Sequence, residues 1–220
     1  MGKSYHQSLF LQGPAGRLEA LLWTVPEPAP LAAVVCHPHP LYGGTLHNKV
    51  VFHVARALHE LGLPVLRFNF RGVGLSEGAH DNGRGEQDDV RAALDWLAAQ
   101  QPGRPLVLAG FSFGAAVGLR VGCNDPRVVD LIGLGLPVAH AAVDFLHTCQ
   151  RPLLLVHGEQ DQFGPVERVR ALAAELGPRA RLVVVEGVDH FFTGRLEEVE
   201  RAVESWMRER HPELAAVPAS

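Results

Sequence analysis

Apolar residues along this chain fall into short, almost unbroken runs, separated by longer segments in which they recur every three or four positions. The first kind comprises "LAAVVCHP" from residue 31, "PVLRFNF", "PLVLAGF", "VVDLIGLGLP", "PLLLVHG" and "RLVVVEGV". Such runs leave no polar face, so each predicts a strand covered on both sides. The second kind predicts helices: "NKVVFHVARALHELG" carries Val50, Val54, Leu58 and Leu61 on one stripe and stops at Gly62. Similar spacing runs through "EQDDVRAALDWLAAQ", "GAAVGLRVG", "PVERVRALAAELG" and "RLEEVERAVESWMRER". Ahead of them, "YHQSLFLQG" and "LEALLWTV" flank "PAGR", the pattern of an antiparallel hairpin at a sheet edge. Strand and helix alternate from there on. The prediction is a three-layer αβα sandwich with about eight strands, mostly parallel, and an antiparallel N-terminal hairpin. One domain is expected over residues 1–210, and Pro and small residues in "HPELAAVPAS" predict a flexible tail over 211–220.

Composition narrows this picture. A chain of 220 residues, 47% hydrophobic and 20% charged, can bury one large core. The formal net charge is −4, with Lys and Arg scattered, so neither nucleic acid nor an anionic membrane surface is an expected partner. No apolar segment opens the chain and no run approaches the length of about 18 apolar residues that a spanning helix needs, so neither export nor membrane insertion is signalled. Cys36, Cys123 and Cys149 are odd in number, widely spaced and set among apolar neighbours. They are expected as reduced structural thiols, and the location as cytoplasmic. The 12 histidines form no HExxH and accompany no paired CxxC, so no metal and no cofactor is expected.

Two segments share the spelling Gly-x-Ser-x-Gly: Gly74 to Gly78 around Ser76, and Gly110 to Gly114 around Ser112. A nucleophile turn needs a strand running straight into the serine and a helix straight out, with small flanking residues where the two pack. Ser112 has "PLVLAGF" before it and the apolar Ala115, Ala116 and Val117 after it. Ser76 is followed by the polar, glycine-rich "EGAHDNGRGEQ", where no helix starts. Ser112 is therefore the candidate nucleophile. A serine hydroxyl attacks only when a base takes its proton, and the base needs an acid to fix its tautomer. Asp161 follows the strand "PLLLVHG" and His190 follows "RLVVVEGV". Both stand at carboxyl ends of strands, the edge where Ser112 also lies. Glu159 and Asp144 are rival acids; Asp189 adjoins His190 and is expected to point elsewhere; His157, inside an apolar run, reads as structural.

The order Ser112, Asp161, His190, each after a successive strand, resembles that of the α/β-hydrolase fold, and the resemblance spans nearly the whole chain. It is most similar to the small lidless serine hydrolases near the dienelactone hydrolases and carboxylesterases, although the former use a cysteine nucleophile. The resemblance implies an oxyanion hole built from the N–H of Phe113 and one N–H of the loop "HPHPLYGG". Pro38 and Pro40 have no N–H, and His37-Pro38 stands where the usual His-Gly pair would be, so His39 is the expected second donor. In this fold a lid is usually inserted ahead of the acid-bearing strand. Residues 138–151 leave room for one short helix at most, so no lid domain is expected.

An open, shallow site lined by Tyr42, Phe113, Phe145, Phe163 and Phe191 follows, suited to a small-molecule ester or thioester with a short or medium acyl group. The expected activity is a serine carboxylester hydrolase working through an acyl-enzyme. A thioesterase or acyl-transfer enzyme with the same triad stays open, as does a binding protein that keeps the fold without turnover. Activity should fall as acid protonates His190.

Overall fold

A computed structural model describes residues 6–26 and 29–216. Its eight strands are β1 (His6–Gly13), β2 (Gly16–Trp23), β3 (Ala32–Cys36), β4 (Val65–Phe68), β5 (Leu106–Phe111), β6 (Val128–Leu134), β7 (Leu153–Gly158) and β8 (Ala180–Val185). They form one sheet in the order β1-β2-β4-β3-β5-β6-β7-β8. The hairpin β1–β2 and the β2–β4 pair are antiparallel; all pairs from β4 to β8 are parallel. The six helices are α1 (Lys49–Glu60), α2 (Gly85–Gln100), α3 (Phe113–Gly122), α4 (Phe145–Thr148), α5 (Val166–Leu176) and α6 (Leu196–Arg210).

The unbroken apolar runs are explained by the layers. Along β3, Ala32, Val34 and Cys36 face one core cluster while Ala33 and Val35 face the other, and β5 divides Leu106 and Leu108 from Val107, Ala109 and Phe111 in the same way. On the first face lie α2, α3, α4 and α5, through residues such as Val90, Leu94, Leu119, Leu146 and Leu172; on the second lie α1 and α6, through Val54, Leu58, Val199, Val203 and Met207. Helix α1 starts where Asn48 Oδ1 accepts from the N–H groups of Val50 (2.9 Å) and Val51 (3.4 Å). Past its end Gly62 takes φ +85°, a conformation that costs a side-chain-bearing residue more.

Two expectations need correction. Cys123 and Cys149 are paired as a disulfide with Cα atoms 5.1 Å apart, and Cys36 alone is a free, buried thiol among the described residues. The end of α3 and the end of α4 meet only in the folded chain, so spacing along the sequence gave no sign of it. The thiol argument for a cytoplasmic location goes with it. Residues 211–214, expected in a flexible tail, are held in place: His211 Nε2 lies 2.5 Å from the buried Asp130 Oδ2, Arg210 Nε donates to Oδ1 at 2.6 Å, and Leu214 is in the second core cluster. The last residues, 217–220, lie outside the described part. No helix among the described residues is long and apolar enough to cross a membrane.

Candidate active site

Every parallel strand runs the same way, so the segments leaving β3, β4, β5, β6, β7 and β8 gather at one sheet edge. There a cleft of about 610 Å³ is bounded by, among others, His39, Tyr42, Ser112, Phe113, Phe163, His190 and Phe191. Ser112 stands between β5 and α3 with φ 56° and ψ −120°, a conformation that costs a non-glycine residue on the order of 1–3 kcal/mol and survives only where the surroundings enforce it. Those surroundings are two glycines. A Cβ on Gly110 would run into the backbone of Gly114 and Ala115, and one on Gly114 into the carbonyls of Cys36 and His37. The turn is thus pressed against the end of β3.

His190 and Asp161 meet from different strand ends. His190 Nδ1–H donates to Asp161 Oδ2 at 2.6 Å, with both residues buried. The other oxygen, Oδ1, accepts from the N–H groups of Phe163 (2.8 Å) and Gly164 (3.1 Å), so the carboxylate is fixed by its own loop. The imidazole lies among the rings of Phe111, Phe163 and Phe191, with centroids 4.9, 4.7 and 5.2 Å away. It also lies against Gly135, where a Cβ would come within 3.0 Å of its Cε1. With Nδ1 committed to the carboxylate, Nε2 is the nitrogen left to act as a base.

Neighbouring polar groups have other work. Asp189 accepts from the N–H groups of Phe191 and Thr193 and from the Thr193 hydroxyl, pinning the turn that carries His190. His157 is buried, and its Nε2–H donates to Gly164 O in the Asp161 loop. Glu159 accepts from Gly187 N at 2.9 Å, on an exposed turn. His37 Nε2 accepts from Phe70 N at 3.0 Å, so its proton sits on Nδ1, 2.6 Å from Pro38 O. Burial pushes that imidazole down to about 4, despite the opposing bond to Pro38. The ring therefore stays neutral and ties the loop after β3 to the end of β4.

In that loop the N–H of His39 has no acceptor among the described residues, nor has that of Phe113 at the start of α3. Gly44 folds back on the loop so closely that a Cβ there would strike the Pro38 and His39 carbonyls. Of the aromatic residues expected to line the site, Tyr42, Phe113, Phe163 and Phe191 do, Tyr42 being 85% exposed at the mouth. Phe145 does not: its ring lies 4.3 Å from the Arg120 guanidinium carbon and packs toward the first core cluster. Sequence position placed α4 near the site but could not set which way its first side chain faces.

Residues the sequence reading passed over also line the cleft: Asn48, His80, Asn82 and His140. The segment bearing His80 and Asn82 leaves the carboxyl end of β4, the edge already marked by Ser112 and His190, and that placement was the available signal. The non-glycine residues with positive φ among those described are Asn82, Ser112 and Phe192. Two line the cleft and the third is two positions past His190. Between β6 and β7 the one helix is the four-residue α4, and no lid covers the cleft.

A family model described as an alpha/beta hydrolase domain matches residues 37–215. An uncharacterized protein of Rickettsia prowazekii (strain Madrid E) is 35% identical over 208 residues, covering 90% of this chain and 87% of its own length. Among solved structures, an alpha-beta serine hydrolase homologue from Coxiella burnetii is 39% identical with a TM-score of 0.86, over 94% of this chain and 98% of that one. A serine hydrolase without lid from Xanthomonas campestris is 39% identical with a TM-score of 0.87, over 97% of each chain.

Proposed function

The chain belongs to the alpha/beta hydrolase family, and from that premise we propose that it is a serine hydrolase cleaving small to medium carboxylic esters through an acyl-enzyme. The observation that carries this reading is the buried Asp161–His190 pair, whose imidazole lines one cleft with a serine held at positive φ between strand and helix. Ser112 Oγ attacks the ester carbonyl as His190 Nε2 takes its proton, and Asp161 stabilises the resulting imidazolium. The carbonyl oxygen, now negative, accepts from the N–H groups of His39 and Phe113, neither of which has another acceptor among the described residues. Collapse expels the alcohol, which leaves with the proton from His190. Water then repeats the sequence on the acyl-enzyme and frees the acid.

An open cleft without a lid buries little of a long chain, so short and medium acyl groups are the expected substrates. The test is labelling with a fluorophosphonate probe. Wild type and Ser76→Ala should label and Ser112→Ala should not; folded wild type that stays unlabelled overturns the reading. With p-nitrophenyl esters, faster turnover of long than of short acyl chains would overturn the substrate size.

A further inference from the structure

The cleft lining also holds a second imidazole with a carboxylate beside it. His80 Nδ1 lies 2.7 Å from Oε1 of Glu86, a fully buried residue at the start of α2. Glu86 is itself held by the N–H groups of Asp81 and Gly83, both at 2.8 Å. The His80 ring is 5.0 Å from that of His39 and 5.6 Å from that of Phe113, and His39 is 4.7 Å from Tyr42. The serine mechanism uses neither side chain.

The polar lining here is made of donors. His39 Nδ1 accepts from Leu41 N at 3.2 Å, so the ring proton of neutral His39 is on Nε2. Asn48 Oδ1 is occupied by the start of α1, which leaves its NH₂ as the unengaged group. His80 has the Glu86 carboxylate beside Nδ1 at 2.7 Å, and its other ring nitrogen is left for a ligand in the cleft. The ionisable side chains lining the cleft are His39, Tyr42, His80, His140 and His190, with no carboxylate among them. The acids stand behind the imidazoles, where a substrate does not meet them. A plain hydrocarbon chain has no use for such a wall; an anion finds charge-assisted donors and no repulsion.

Direction follows from the mechanism. His190 must hand its proton to the leaving alcohol, so the alcohol lies on its side, near Phe163 and Phe191. His39 and His80 lie beside Phe113 instead, with no ring contact to His190, Phe163 or Phe191 among the described residues, and are assigned to the acyl part. We propose that His39 and His80, the latter supported by Glu86, bind a carboxylate at the far end of the acyl group, making monoesters of dicarboxylic acids the preferred substrate class. This rests on the serine-hydrolase reading above.

The experiment compares p-nitrophenyl hydrogen adipate with p-nitrophenyl hexanoate, esters of equal chain length that differ in the terminal carboxylate, in wild type and His80→Gln. The readout is the ratio of their kcat/KM values, from which any loss of folded protein cancels. Wild type should prefer the adipate about tenfold, and His80→Gln should lose most of that preference, as expected for a charge-assisted hydrogen bond. No preference in wild type overturns the proposal. So does an equal fall for both esters in His80→Gln, since His80 would then only neutralise Glu86 or support the oxyanion. Fluorophosphonate labelling of Ser112 separates the two levels: labelled enzyme without the preference sinks the carboxylate subsite alone, whereas unlabelled enzyme sinks the serine-hydrolase reading and this inference together.

Discussion

The two Gly-x-Ser-x-Gly segments place the same residue types in opposite roles. Around Ser76 the glycines provide the unusual conformations: Gly74 and Gly78 have φ +56° and +84°, while the serine needs none. Around Ser112 the serine itself takes positive φ, and Gly110 and Gly114 are there because backbone from α3 and β3 occupies the space a side chain would fill. The hydroxyls differ too. Ser76 Oγ donates to Asn69 O at 2.8 Å and accepts from Glu19 N at 2.9 Å, stitching its loop to β2, whereas Ser112 Oγ has no hydrogen-bond partner among the described residues and opens onto the cleft. A hydroxyl engaged at both ends is structural, and one left free in a strained turn is available for chemistry.

The sharpest way to break this contrast is to remove each hydroxyl. Ser112→Ala should lower kcat by on the order of 10⁴-fold or more while leaving the fold intact, measured on a p-nitrophenyl ester. Ser76→Ala should retain most activity and lose roughly 1–2 kcal/mol of stability in urea, because Asn69 O and Glu19 N lose their partner. The reverse pattern would exchange the roles of the two segments.

Next in size is a comparison of the acids. Asp161→Asn can still accept, yet it no longer offsets the charge on His190 or enforces its tautomer, so kcat should fall about 10³- to 10⁴-fold. Glu19 is the acid of the other segment, accepting from Leu75 N and Asn69 Nδ2. Glu19→Gln should change kcat by less than about tenfold, the scale of a rearranged loop hydrogen bond. Comparable losses in the two variants would count against Asp161 as the acid behind the base.

What was legible in the chain follows from this contrast. Strands of a covered parallel sheet announce themselves as apolar runs, and residues just past their carboxyl ends converge, which is why Ser112, Asp161 and His190 could be expected at one sheet edge from order and context. Features that depend on how helices rotate and where their ends meet were not legible. The Cys123–Cys149 pair joins the ends of α3 and α4, Phe145 turns toward Arg120, and His211 reaches Asp130 on β6 from the end of α6. Glu86 stands in the first turn of α2, and only the folded loop sets it behind His80.

Glycine substitutions sharpen the comparison at a smaller scale. Gly114→Ala drives a methyl group into the Cys36 and His37 carbonyls, backbone that cannot step aside, and should cost about 3 kcal/mol together with activity. Gly74→Ala meets the side chains of Glu19 and Asn69, which can move, so its cost is mainly that of positive φ, roughly 1–2 kcal/mol, with activity kept. Thermal unfolding of the two variants, read beside their ester turnover, separates a packing requirement from a conformational one.

An effect visible only on changing pH comes from His37, which touches both segments: its carbonyl lies against Gly114, and its Nε2 accepts from Phe70 N where the Ser76 loop begins. Burial holds the imidazole at about 4 in the folded protein, against 6.5 ordinarily. Between those values the unfolded chain binds a proton that the folded one refuses, so stability is full above 6.5 and declines as pH falls toward 4. By pH 5 the loss from this residue amounts to roughly 2 kcal/mol, at about 1.4 kcal/mol per pH unit. His157 is lowered by burial too and adds to the slope in the same direction, so the informative quantity is a difference between proteins. Urea titrations at pH 7.5 and 5.0 should give His37→Asn a lower stability at pH 7.5 and a pH dependence shallower than wild type by about that 2 kcal/mol. An unchanged slope would mean that His37 is protonated as readily folded as unfolded, and the neutral tie between the loop after β3 and the Ser76 loop would have to be abandoned.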